Sequence, residues 1–143
     1  MLARNRLAMG DVAEASACLE TGLATAVRHG HCLTCNALLL PEAVRVALAS
    51  DRMAEADRFA SDLEAIALKF GSHAWRAMAK QARGRVQAAR GEGALARATL
   101  AEAASLYEAI GAPYDVARCL AAAGRTDEAA RAFKALGAPG IEG

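Results

Sequence analysis

Residues Gly84 to Gly111, GRVQAARGEGALARATLAEAASLYEAIG, contain the pattern that identifies the fold class of this chain. It has the pattern of one helix end, a Gly-Glu-Gly turn and a second helix that stops at a glycine. Gly84 and Ala96 lie twelve residues apart on either side of the turn, where two antiparallel helices come closest and only small side chains fit. A single hairpin cannot cover the apolar stripe of its second helix, so the pattern predicts neighbours of the same kind. That stripe consists of Ala96, Leu100, Ala103 and Tyr107.

The same hairpin recurs four times along the chain. Superposing the turns puts an alanine at one equivalent site in every copy: Ala15, Ala56, Ala96 and Ala129. The copies end at glycines, where a helix needs a left-handed residue to stop: Gly30, Gly71, Gly111 and, earlier in its copy, Gly137. We therefore predict one all-α domain over residues 1–143, with units at about 1–30, 31–71, 72–111 and 112–137. A frayed tail is expected at 138–143.

Eight helices are predicted, and three residues bear on where they start or break. Pro113 should open the seventh helix, where its missing N–H costs nothing, and Thr126 should cap the eighth. Pro41 should kink the third helix or split it near the run from Leu38 to Leu40. That run is either a buried packing seam, which we favour, or an exposed dimer patch. The predicted helices are 2–9, 12–29, 33–49, 53–70, 73–90, 94–110, 114–123 and 126–136.

The charge balance excludes several classes of partner. Seventeen basic and sixteen acidic side chains give a net charge of +1, which argues against a general nucleic-acid or membrane surface. No apolar run approaches the roughly 20 residues that cross a bilayer, and Met1 to Gly10 does not have a signal peptide's pattern. We expect a cytoplasmic protein whose cysteines are thiols rather than disulfides.

Paired helices with a small residue, a turn and an alanine twelve residues later resemble tetratricopeptide repeats. Gly84 to Ala96 and Ala117 to Ala129 have this spacing, and Val44 to Ala56 has it with a larger first residue. Units near forty residues, together with the phrase LYEAIGAPYDVARCLAAAG at 106–124, are similar to the C-terminal repeats of bacterial LuxR-type ATPase regulators and nucleotide cyclases. The resemblance implies antiparallel hairpins stacked as a right-handed solenoid. It also implies a protein-protein interaction or scaffolding module of a signalling or transcription regulator, which binds a partner segment in its concave groove.

An arginine occupies the same site in all four units, eleven residues before the matched alanine. In a tetratricopeptide-like stack this site resembles those on first helices that face the groove. Such a row would suit carboxylates, which arginine grips with two parallel hydrogen bonds, and so an acidic protein or peptide partner. The other interpretation is that each arginine pairs with a nearby glutamate, for which Glu14, Glu55 and Glu128 are the candidates. The predicted groove residues are Arg4, Arg45, Arg85 and Arg118, with Tyr114 as an apolar contact in the same register.

The segment HGHCLTC contains the second cluster of reactive side chains: His29, His31, Cys32 and Cys35. Two sulfurs and two nitrogens would suit tetrahedral zinc, but zinc sites usually draw their ligands from two separated pairs. A redox Cys-x-x-Cys role needs a strand-helix context that the sequence does not predict. We favour cysteines that act as small apolar residues in helix contacts, and Cys119 has the same interpretation.

Trp75, the only tryptophan, is either an exposed anchor for a partner or, as we favour, a filler between hairpins. No paired carboxylates, Ser-His-Asp order or phosphate loop is present in the sequence, so we expect neither an enzyme nor a cofactor. Besides the protein-binding module, two alternatives stay open. One is a small-molecule or metal sensor, and the other is a unit that assembles as a homodimer because an end of the array is uncapped.

Overall fold

The computed structural model describes residues 2–30 and 32–138, and its regular structure there is entirely helical. Every helix boundary lies within one residue of the predicted position. Since strands are absent from the described part of the chain, the all-α prediction is confirmed. The helices are α1 (Leu2–Ala8), α2 (Val12–Arg28), α3 (Leu33–Ala49), α4 (Met53–Phe70), α5 (His73–Ala89), α6 (Gly93–Ala109), α7 (Pro113–Ala122) and α8 (Thr126–Ala135).

Glycines end the helices as predicted. Gly71 directly follows α4 with φ +63°, a left-handed conformation that costs glycine nothing and a residue with a Cβ about 1 kcal/mol. Gly30, Gly111 and Gly137 also have positive φ angles near the ends of α2, α6 and α8. The turn chemistry visible in the sequence therefore sets the helix lengths.

One prediction about a helix interior is wrong in part, and one about a helix start is wrong. α3 is not split at Pro41 but continues through it, and Ala37, Leu40 and Ala43 on either side of the proline are buried. The kink at Pro41 stays a prediction. Thr126 does not cap α8 but is its first residue. The preceding Arg125 takes the cap position, where its N–H donates to the Leu120 carbonyl oxygen at 2.9 Å.

Helices contact their neighbours in the chain, and the odd-numbered helices also contact one another, α1 with α3, α3 with α5 and α5 with α7. The main core lies between α2 and α5, and smaller clusters join α5 to α7 and α7 to α8. At the predicted close approach, a Cβ on Gly84 would lie 2.6 Å from Leu100 Cγ and 3.5 Å from the Ala96 carbonyl oxygen. The four matched alanines are buried as predicted: Ala15, Ala56, Ala96 and Ala129.

The predicted tail lies almost wholly outside the described residues. Only Ala138 is described, and its N–H donates to the Phe133 carbonyl oxygen at 3.0 Å. Residues 139–143 lie beyond the described range.

A charged network on α4 and α5 connects the second unit to the third. The Arg83 guanidinium donates to both oxygens of Glu64, at 2.9 and 2.8 Å, and to Ser61 Oγ at 2.9 Å. It also pairs with Asp57, which holds the pKa of that carboxyl below its ordinary value. Because these carboxylates belong to α4 and the arginine to α5, the network stabilises the contact between successive units.

We expect Arg83→Met to lower the free energy of unfolding by about 1 kcal/mol, because the carboxylates left behind are exposed enough to be hydrated. Asp57 contributes stability above its unfolded pKa of about 4, and this contribution is lost as the pH falls through the lowered folded value. Urea unfolding should therefore show a smaller acid dependence in the variant than in the wild type. Arg97→Met, at an exposed position of α6, is the control and should change neither quantity.

Candidate functional site: an arginine cluster on the odd-numbered helices

The four matched arginines lie one each on α1, α3, α5 and α7, the helices that contact one another. We call Arg45, Arg85 and Arg118, together with Glu42 and Asp115, the arginine cluster. Side chains from three units of the chain meet in it.

Glu42 is shared between two arginines. Its Oε2 accepts a hydrogen bond from Arg45 Nη1 at 2.7 Å, and its Oε1 lies 3.8 Å from Arg118 Nη2. Arg118 also donates from Nη1 to Asp115 Oδ1 at 3.0 Å. The side chains of Arg45, Glu42 and Arg118 are only 6%, 16% and 13% exposed, so water screens these charges weakly. Glu42 thereby connects α3 to α7 across α5.

Arg85 occupies the middle helix of the cluster. Burial lowers the pKa of its guanidinium to about 10, and the positive charges of Arg118 and Arg45 lower it further, while the Glu42 carboxylate opposes them. The group still carries its proton at neutral pH. Three guanidiniums therefore lie close enough for their charges to interact, in a poorly hydrated place. Such a place favours an additional anion.

Arg4 and Tyr114 contact each other although they belong to the first and last units. The Arg4 guanidinium carbon lies 5.9 Å from the centre of the Tyr114 ring, within the range of a cation–π contact. The Tyr114 ring also packs edge-on against Phe133, with centroids 5.4 Å apart. Tyr114 is only partly buried, so it contacts one of the predicted arginines and keeps an accessible edge.

A buried polar layer joins α5, α6 and α7 next to the cluster. Tyr107 Oη donates to Gln81 Oε1 at 3.3 Å, and both residues are buried. Burial raises the pKa of the Cys119 thiol to about 12, against the opposing charges of Arg85 and Arg118. Cys119 is therefore an inert buried thiol, as predicted.

The predicted glutamate partners of the arginines are wrong. Glu55 pairs with Arg52 and Glu128 with Arg125, while the N–H of Glu14 donates to the Asp11 side chain. Glu42 and Asp115, the partners in the structure, precede Arg45 and Arg118 by three residues, one helical turn. That spacing is visible in the sequence, but the alanine register of the repeats points to other glutamates.

The prediction that cysteines serve as small contact residues is wrong for Cys32 and Cys35, which are both exposed. The first buried residue of α3 is Ala37, which follows both cysteines in the chain. His31, one of the four residues of the predicted His-Cys cluster, lies outside the described residues. Among the described residues no group of three or more His, Cys, Asp or Glu could hold a metal ion.

Trp75 packs against the main core with its ring 5.0 Å from that of Phe70, which confirms it as a filler at the α4–α5 junction. The run from Leu38 to Leu40 is mixed. Leu40 is buried, whereas Leu38 is 66% exposed, because successive residues of a helix face different directions. The prediction of a fully buried seam is wrong for Leu38.

No helix in the described residues combines the length and hydropathy that would carry it across a bilayer. No family model, curated protein or solved structure matches the chain. The arginine cluster is therefore characterised by its own chemistry alone.

Proposed function

We propose that the chain is a tetratricopeptide-like module, with hairpins stacked as a right-handed solenoid, that binds a partner protein segment in bacterial signalling or transcription regulation. It would work in the cytoplasm as a binding unit rather than an enzyme. The observation that supports this proposal is the meeting of Arg45, Arg85 and Arg118, from the same site of three units, in one weakly hydrated cluster. Neighbouring guanidiniums with little access to water attract anions, and arginine binds carboxylates in a fixed two-pronged geometry.

The low exposure of the cluster determines what kind of segment it would accept. Because the side chains of Arg45 and Arg118 are largely covered, an acidic partner would insert one carboxylate at a time, from an Asp or Glu side chain or a chain end. Tyr114, which keeps an accessible edge beside Arg4, would contact the apolar part of the segment. The same low exposure favours one alternative, a small carboxylate as the ligand in place of a peptide.

Fluorescence anisotropy with a short labelled peptide rich in Asp and Glu tests the proposal. Arg85→Glu should weaken binding at least about tenfold and reduce its salt dependence, since a charge-assisted hydrogen bond contributes about 1.5–3 kcal/mol. The variant is expected to fold, because its new carboxylate would lie between two guanidiniums. The matched control is Arg97→Glu, at an exposed position of α6, which should bind nearly as the wild type does.

Two outcomes separate the proposal from its alternative. Equal binding and equal salt dependence of the wild type and Arg85→Glu would mean that the cluster binds no partner. Citrate that binds the wild type but not Arg85→Glu, while neither the acidic peptide nor its Asn- and Gln-substituted counterpart binds, would favour a small-molecule sensor.

A further inference from the structure

Cys32 and Cys35 form a pair of exposed thiols at the start of α3. Cys32 is the residue directly before the helix, and Cys35 is the third residue within it. The Asn36 N–H donates to the Cys32 carbonyl oxygen at 2.9 Å, so the two cysteines belong to one helical turn. Positions three apart in a helix have Cα atoms about 5 Å apart, within the range that a disulfide spans.

The surroundings of the two sulfurs differ. Cys32 Sγ lies 3.1 Å from the Thr34 hydroxyl oxygen, at the end of the helix where backbone N–H groups point outward. Hydrogen bonds from the side chains of Thr34 and Cys35, and then from backbone N–H groups of the same turn, lower the pKa of the Cys32 thiol to about 7. The hydrogen bond to Cys32 and its charge raise the pKa of the Cys35 thiol. Cys32 is therefore the thiol that ionises more readily, and Cys35 is the thiol that ionises less readily.

The other two cysteines lack these features. Cys119 is buried and Cys18 is only partly accessible on α2. Neither lies beside a second cysteine in the sequence. They serve as internal controls in one and the same chain.

We propose that Cys32 and Cys35 form a redox-active dithiol that exchanges with small-molecule disulfides, with Cys32 as the attacking thiol and Cys35 as the resolving thiol. The expectation that a redox Cys-x-x-Cys pair needs a strand-helix context is revised here, because the start of α3 and the Thr34 hydroxyl provide the polar surroundings of the Cys32 sulfur. This site does not depend on the arginine cluster or on any function proposed for it. It differs from a structural disulfide in that both sulfurs are open to solvent.

The exchange consists of two displacements. The Cys32 thiolate attacks one sulfur of the small disulfide, which forms a mixed disulfide and releases the other half as a thiolate that takes up a proton. Cys35, on losing its proton, then attacks Cys32 Sγ, which forms the Cys32–Cys35 bond and releases the second half as a thiol. Two protein thiols are oxidised and one small disulfide is reduced to two thiols.

Oxidised glutathione, added to the reduced full chain at pH 7, tests the proposal by mass spectrometry of the products. The wild type should end with a Cys32–Cys35 disulfide and no lasting glutathione adduct. Cys35→Ser should stop at a glutathione adduct on Cys32. Cys32→Ser should form its adduct on Cys35 about fivefold more slowly than Cys35→Ser forms its adduct on Cys32. The reason is that the larger thiolate fraction of Cys32 outweighs the lower intrinsic reactivity of its thiolate.

The same reaction in urea and the reaction rates of Cys18 and Cys119 are the controls of this experiment. In urea the two single variants should react at similar rates, since the helix start that distinguishes the sulfurs is gone. A wild type that keeps a stable glutathione adduct, folded single variants that react at equal rates, or a Cys18 that reacts as fast as Cys32 would each overturn the proposal.

Discussion

Glu42→Gln should lower the free energy of unfolding by about 2–3 kcal/mol. Its carboxylate accepts a 2.7 Å hydrogen bond from Arg45 and lies 3.8 Å from Arg118, and its side chain is 16% exposed. Removing one partner of a buried ion pair leaves an uncompensated charge, which costs about 3–5 kcal/mol when burial is complete. The partial exposure of Glu42 and the remaining Asp115 reduce that figure.

Urea unfolding of Glu42→Gln and Glu55→Gln measures this difference. Glu55 is the matched control because its side chain, which pairs with Arg52, is 40% exposed. Such a pair should contribute at most about 1 kcal/mol to the free energy of unfolding. Adding Arg45→Met to Glu42→Gln should restore part of the stability, since one of three like charges is then removed. If Glu42→Gln unfolds at the wild-type urea concentration, the cluster is hydrated and the charge argument is wrong.

Gly84→Ala should destabilise the fold by up to about 2 kcal/mol although alanine favours helices. A Cβ at Gly84 would lie 2.6 Å from Leu100 Cγ and 2.9 Å from Leu100 Cδ2, closer than real Cβ contacts. Leu100 is 1% exposed and the clash involves the branch point of its side chain, so Leu100 must change its position or α5 and α6 must separate. Overpacking of this kind lowers the free energy of unfolding by about 1–3 kcal/mol, and the higher helix propensity of alanine offsets about 1 kcal/mol of this loss.

Gly93→Ala is the matched control, because its added Cβ meets only the end of the Arg97 side chain, at 3.5 Å. Thermal unfolding followed by circular dichroism should show a lower midpoint for Gly84→Ala and an unchanged or higher one for Gly93→Ala. Leu100→Ala should be less harmful in the Gly84→Ala background than alone, since the smaller side chain removes the clash. Equal midpoints for both glycine variants would show that the hairpin tolerates a wider separation.

The arginine cluster could be predicted only in part. The repeat register identified Arg45, Arg85 and Arg118 as equivalent, and they do influence one another in the structure. It did not identify Glu42 as a carboxylate shared by α3 and α7, because the contact joins residues far apart in the sequence. Gln81 was missed entirely, since a single polar residue on a helix gives no signal of the buried layer in which it lies.

Local features of the fold can be derived from the amino-acid sequence: where each helix begins and ends, where glycine turns the backbone, and which small residues allow helices to touch. These features follow from apolar spacing and left-handed glycine, which act within a few residues. The packing of the helices was needed to find which carboxylates face the arginines, that α3 continues through Pro41, and that Cys32 and Cys35 lie in solvent. The reason is that burial and ion pairing depend on how whole helices lie against one another, and residues distant in the chain set that arrangement.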